Sequence, residues 1–217
     1  TPSTSSAASD VYKRQDNARP VNQTFAGKHH FTATGNALAQ GLYELAQQRN
    51  VSLFMLLESA FALLISRWSN SDDIVIGIPV ANREESGVED LIGFLVNTVA
   101  LRTRLDETQS FSQYLAANAR QMMTGLTHQK VPFELVVEKL NPERSNSHSP
   151  VFQIMFTLNN NDPVDLNLPG IEVEELAMEN RIAKFELGLA VNEITANGKN
   201  TDCLLYTSPS PRDGLGS

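Results

Sequence analysis

A single cysteine, Cys203, leaves no partner for an intramolecular disulfide, which excludes a disulfide-stapled secreted scaffold. Basic residues are outnumbered, 17 against 25 acidic, for a formal charge of −8. That sign argues against a nucleic-acid partner held by phosphate neutralisation. Long hydrophobic runs are also missing. The longest, Leu53 to Ile65, is interrupted by Glu58 and Ser59 and is too short to span a bilayer. The first residues lack the apolar segment of a secretory signal. The four histidines form neither an H-x-x-x-H pair nor a His/Cys cluster, so no metal site is expected. No G-x-G-x-x-G or G-x-x-x-x-G-K-[ST] phosphate cradle occurs. The expectation is a cytoplasmic protein with no membrane or nucleic-acid partner.

What remains is an ordinary globular composition, 41% apolar and 19% charged over 217 residues, enough to bury a core. The ends stand apart. TPSTSSAASD at the start and CLLYTSPSPRDGLGS at the finish have no periodicity and too little apolar surface to offset their ordering entropy. Residues 1–15 and 203–217 are therefore expected to be disordered flanks. VYKRQ at Val11 to Gln15 and LLYTSPSPRD at Leu204 to Asp213 resemble translated sequencing adapters at the ends of metagenomic fragments. On that reading the natural segment is 16–202, open at both ends.

Between the flanks, periodicity predicts a mixed α/β fold. Phe31, Ala33 and Gly35 suggest a short strand, and Leu38, Leu42, Leu45 and Ala46 share a helical face with Asn36 as its cap. Ser52 caps LFMLLESAFALLISRW, apolar around most of its circumference and so expected to be enclosed. The apolar run Ile74 to Val80 reads as a strand covered on both faces, loosening at Pro79. Residues 82–91 read as a charged loop. Val99, Leu101, Thr103 and Leu105 alternate with Ala100, Arg102 and Arg104, the mark of a half-buried strand. Ser110 caps a helix with the stripe Phe111, Leu115, Ala119, Met122 and Leu126. Pro132 suits the first turn of another helix, through Leu135, Val136 and Leu140. Val151 to Leu158 is a strong strand, and Ile171 to Leu176 and Phe185 to Val191 are weaker ones.

Three stretches carry more than a fold class: IGFLVNTVALR at Ile92 to Arg102, HQKVPFE at His128 to Glu134, and RSNSHSPVFQIMF at Arg144 to Phe156. In that order they resemble the C-terminal half of the condensation domain of nonribosomal peptide synthetases. DDIVIGIPVANR upstream and KFELGLAV at Lys184 to Val191 are similar to the flanking sequence of that family, so the resemblance covers about Thr24 to Asn192. Leu95, Lys130 and Val151 depart from the family's usual residues; Lys130 puts a cation where an Asp is frequent. The V-N-T-x-x-L-R strand argues against the sister epimerisation domains.

The resemblance implies the second lobe of a chloramphenicol-acetyltransferase-like two-lobed fold. In such a domain two phosphopantetheine arms on peptidyl carrier domains meet in a tunnel, and the acceptor amine attacks the donor thioester to form an amide. It implies no directly bound cofactor. The implied partners are carrier domains, neighbouring synthetase domains and a missing N-terminal lobe. The family's histidine comes from an H-H-x-x-x-D-G motif in that first lobe. HHFTATG at His29 to Gly35 comes close, but Thr34 replaces the Asp and the distance to Ile92 is too short for the intervening elements. His29 and His30 are set aside, leaving no catalytic residue in this chain. The tunnel or motif candidates are Asn97, Arg102, His128, Gln129, Pro132 and Phe133. Asn97 either lines the tunnel or braces a strand end, His128 is expected to make a helix-start contact, and His148 is expected to be solvated. Two alternatives remain open: a non-catalytic recruiting or docking domain of the same fold, or another thioester-dependent acyltransferase of the superfamily.

Overall fold

The computed structural model describes residues 21–30, 32–83, 87–88, 91–143, 145–159, 182–196 and 199–202. Expectations for 1–15, 171–176 and 203–217 lie outside the described residues. The element order is α1 (Asn36–Arg49), α2 (Leu53–Ser69), β1 (Asp73–Val80), β2 (Asn97–Arg104), α3 (Phe111–Leu126), α4 (Phe133–Leu140), β3 (Ile154–Asn159), β4 (Leu187–Asn192), β5 (Ile194–Ala196) and β6 (Lys199–Asp202). The expected α/β class, a mixed sheet with packed helices, is what forms. Its order is β2-β1-β3-β4, with β1 antiparallel to β2 and parallel to β3, and β3 parallel to β4. A separate hairpin, β5–β6, follows.

Burial explains the layering. Ile74, Ile76 and Ile78 on β1, Leu101 on β2, Ile154 and Phe156 on β3 and Val191 on β4 meet Phe61, Ala62 and Ile65 of α2 and Met122 of α3. Phe156 is fully buried, with Phe54 and Phe61 rings 5.3 and 6.0 Å from its own. The caps form as expected. Ser52 Oγ accepts from Met55 N–H, and Ser110 with Gln113 closes a reciprocal capping box.

Several local expectations need correction. Residues 32–35 form no strand, and Gly35 rather than Asn36 occupies the cap of α1, without a side-chain bond. The strand contact nearby is instead a bridge from Ala26 to Ile182. α2 is enclosed on most sides, apart from one exposed stripe of Ala60, Leu64, Arg67 and Trp68. No residue of β1 is exposed: its isoleucines face the helices, and on the other face Gly77 is buried under Phe152 with Val75 and Pro79 half-buried. Pro79 does not loosen pairing with β2, whose register runs through Pro79–Thr98 to Val80–Asn97; only the β3 contact stops earlier, at Gly77. Pro132 precedes α4 as its cap residue, and β4 begins at Leu187.

The strong strand begins at Ile154, not Val151, for a packing reason. Val151 has φ 68°, and Phe152 N–H donates to Pro150 O at 2.8 Å, closing a tight three-residue turn. A positive φ strains a β-branched residue. The turn drives the Phe152 ring over Gly77, where any Cβ would collide with it. Gly77 is thus required by close approach, not by its own backbone conformation.

Candidate functional site

β2 opens with Asn97, and its amide is fully used. Nδ2 donates to Gln129 O at 2.7 Å and Val131 O at 2.8 Å, while Oδ1 accepts from Phe133 N–H at 3.1 Å. Two donors and one acceptor thus fix the turn between α3 and α4 and satisfy an otherwise orphaned N–H of α4. Of the two readings of Asn97, the bracing one describes its bonds. The helix-start contact expected of His128 is made by Asn97; His128 is exposed, with its N–H bonded to Gly125 O at 3.0 Å. Gln129 contributes its carbonyl, Pro132 is exposed, and Phe133 turns inward.

From Phe133 the contacts continue through rings. Phe133 and Phe152 centroids lie 5.3 Å apart at 57°, and Phe152 and Phe185 5.6 Å apart at 28°. Phe152 is buried. Stretches far apart in sequence, the start of β2, the α3–α4 turn, the Pro150–Phe152 turn and the residue before β4, therefore meet in one chain of contacts. Arg102 lies elsewhere. Its guanidinium grips both carboxylate oxygens of Asp73 on the exposed face of β2, with Arg104 Nε 3.7 Å from the same carboxylate. The hydrogen bond from Arg102 holds the Asp73 carboxyl below its usual range. The structure does not bring Arg102 to the Asn97 node.

Beside that node, apolar side chains face outward. Ile92 and Phe94 are 104% and 93% exposed, with Leu91 and Val96 about half so, and Val131, Leu135 and Leu140 are exposed across the turn. His29 is half-buried and His30 exposed; neither is among Asn97's hydrogen-bond partners. His29 lines a cleft of about 180 Å³ with Lys28, Met155, Lys184, Phe185 and Leu189. His148 is half-buried, with Nδ1 3.0 Å from Ser147 Oγ. Among the described residues no group of three or more metal-ligating side chains occurs, and no single helix is long and apolar enough to cross a membrane.

A second polar centre escaped the sequence reading. Glu58 on α2 is fully buried; Asn118 on α3 donates to its Oε2 at 2.8 Å and to Ser59 Oγ at 2.9 Å. Asn118 Oδ1 accepts from Thr103 Oγ1 at 3.1 Å, and Tyr114 O–H donates to Ser59 O at 3.1 Å. Burial pushes the Glu58 carboxyl up to about 7, against a smaller opposing effect of the Asn118 bond. Burial likewise raises the Tyr114 hydroxyl, with the Glu58 charge adding to it. The only sequence signal was an acidic residue breaking an apolar run. Glu186, beside β4, is pushed up to about 8 by burial.

A family model described as "Condensation domain" matches residues 8–206. Malpinin synthetase of Mortierella alpina is 40% identical over 178 residues, 82% of this chain and 2% of that protein. A solved four-domain nonribosomal peptide synthetase, bound to AMP and glycine, superposes with a TM-score of 0.76 at 26% identity, over 91% of this chain and 16% of its own. The X-domain from teicoplanin biosynthesis reaches 0.78 at 23% identity, over 90% of this chain and 44% of its own, a likeness of fold alone. The chain thus spans a small fraction of the synthetase it matches and under half of the X-domain.

Proposed function

The chain belongs to the condensation-domain family, and from that premise we propose that it is the C-terminal lobe of an amide-forming condensation domain of a nonribosomal peptide synthetase. The lobe occupies residues 16–202, with 1–15 and 203–217 as extraneous flanks. In the reaction the acceptor's amine nitrogen attacks the thioester carbon of the donor. A C–N bond forms, the C–S bond breaks, and the amine proton, relayed by a base, ends on the departing thiolate, so the donor arm leaves as its thiol. The two phosphopantetheine arms belong to carrier domains, so the lobe's own task is to wall and align.

The observation that carries this reading is the convergence at Asn97. Its amide ties the VNT strand to the HQKVPFE turn, and Phe133 ties that turn to Phe152 and Phe185. Asn97 and Phe133 serve here as positioning residues, and Gln129 and Pro132 shape the turn they hold. Arg102 and His128 are assigned no catalytic part. The bare apolar side chains of Ile92 and Phe94 suit a surface that the N-terminal lobe covers. His29 and His30 lack the following Asp, so the proton-transfer histidine is assigned to that other lobe. Losing such a group costs about 10²–10⁴ in rate.

The test uses two loaded carrier domains and the full chain, alone and mixed with a matching N-terminal lobe. No dipeptidyl-carrier product is expected from the chain alone, and product is expected once the lobe is added. Product from the chain alone, abolished by His30→Ala, would restore HHFTATG as an active site and overturn the half-domain reading.

A further inference from the structure

Glu58 sits where three elements close on one another. Its own helix α2 contributes Ser59, α3 contributes Tyr114 and Asn118, and β2 contributes Thr103. The side chain has no exposed surface, and Oε1 has no hydrogen-bond partner among the described residues. Oε2 has one, the Asn118 amide. No further donor is available from these neighbours. Asn118 Nδ2 divides its two hydrogens between Glu58 and Ser59; Ser59 O–H is directed to Met55 O at 2.7 Å, Tyr114 O–H to Ser59 O, and Thr103 O–H to Asn118.

Among the described residues counter-charge is missing as well: Arg67 on α2, Arg120 on α3, and Glu44 and Arg49 on α1 are exposed, and Arg102 and Arg104 occupy the opposite face of β2 with Asp73. Tyr114 is the only titratable neighbour among the cluster's partners, and it is neutral below strongly alkaline pH. A carboxylate in this place would keep one weakly compensated oxygen and one bare oxygen out of water. A carboxylic acid would keep the Asn118 bond and carry no charge.

We propose that Glu58 is a proton-coupled latch: α2, α3 and β2 close on its neutral acid, and loss of that proton to solvent loosens the α2–α3 seam. The sign follows from the raised folded value, about 7, against an unfolded value near 4.5. The latch's contribution is complete below the unfolded value. It falls as pH rises between the two, and stays lost above about 7, by roughly tenfold in the unfolding constant per pH unit. α3 leads directly into the turn held by Asn97, so the latch adjoins the node through one helix.

The experiment compares the full chain with Glu58→Gln by urea unfolding from pH 5 to 8.5. The two should be similar near pH 5, and by pH 8 the unfolding constant of the wild-type chain should exceed that of the variant by on the order of 10²-fold. Parallel profiles across the range would overturn the proposal. Should the variant not fold, the Glu58 carboxyl carbon can be followed by NMR in the wild-type chain. A midpoint near 7, with α3 amide signals shifting alongside, supports the latch, and a midpoint near 4.5 contradicts it.

Discussion

The two ends of β2 are organised by the same side-chain chemistry in opposite surroundings. At its start Asn97, half-exposed, uses its amide on backbone groups of a turn. Near its far end Thr103 meets Asn118, fully buried, whose amide is used on side chains. The first node fixes a loop among bare apolar residues, and each bond of the Asn97 amide is to an uncharged backbone group. The second locks two helices onto the sheet but holds a carboxyl that must stay neutral to fit. A saturated amide at a surface is a positioning device; a similar amide in the interior is satisfied itself yet leaves a neighbour whose protonation state matters.

Both nodes rest on one core, so the largest effect comes from removing what they share. Phe156→Ala should cost about 3–5 kcal/mol in denaturant unfolding, since its ring is fully buried between Phe54 and Phe61. A loss below about 1 kcal/mol would mean that β3 presents its other face to the helices. Asn118→Ala comes next. It takes away the only polar side-chain partner of Glu58 among the described residues, at a cost of about 1–3 kcal/mol for unsatisfied buried groups. That cost should grow as pH is raised from 5 to 8, because the carboxyl ionises without its donor.

Asn97→Ala should separate the two ends most clearly. A loss of about 1 kcal/mol is expected, with faster amide exchange at Val131 and Phe133 and little change in α2 or α3. Exchange spreading evenly over the chain would show that the node is not a local clamp. The smallest effect belongs to the Asp73–Arg102 pair on the outer face of β2. Asp73→Asn should cost about 0.2–1 kcal/mol at low salt and almost nothing at high salt, because Arg102 is exposed.

What could be read from the sequence was what depends on near neighbours. The alternation that buries Leu101 and Thr103 and exposes Arg102 and Arg104 is a matter of residues two apart. The Ser52 and Ser110 caps need only three more residues. The errors came where a distant group decided. Val151 looks like strand, yet its backbone is set by the fit of Phe152 against Gly77. Trp68 and Leu64 look like core, yet they lie on the one stripe of α2 that is exposed among the described residues. In the candidate site, the motifs named Asn97 and Phe133 but not their bonds, which span more than 30 positions. Glu58 carried only a hint, because the partner that gives it meaning is 60 positions away.

The central claim is that this chain is one lobe, whose bare apolar loop before Asn97 is covered in the complete domain. Hydrogen exchange across residues 91–96 tests it most directly, in this chain and in the same segment of an intact condensation domain that contains it. The account predicts rapid exchange in the isolated chain and strong protection in the intact domain, with the amide of Phe133 protected in both. Equal, rapid exchange of residues 91–96 in the two would contradict it.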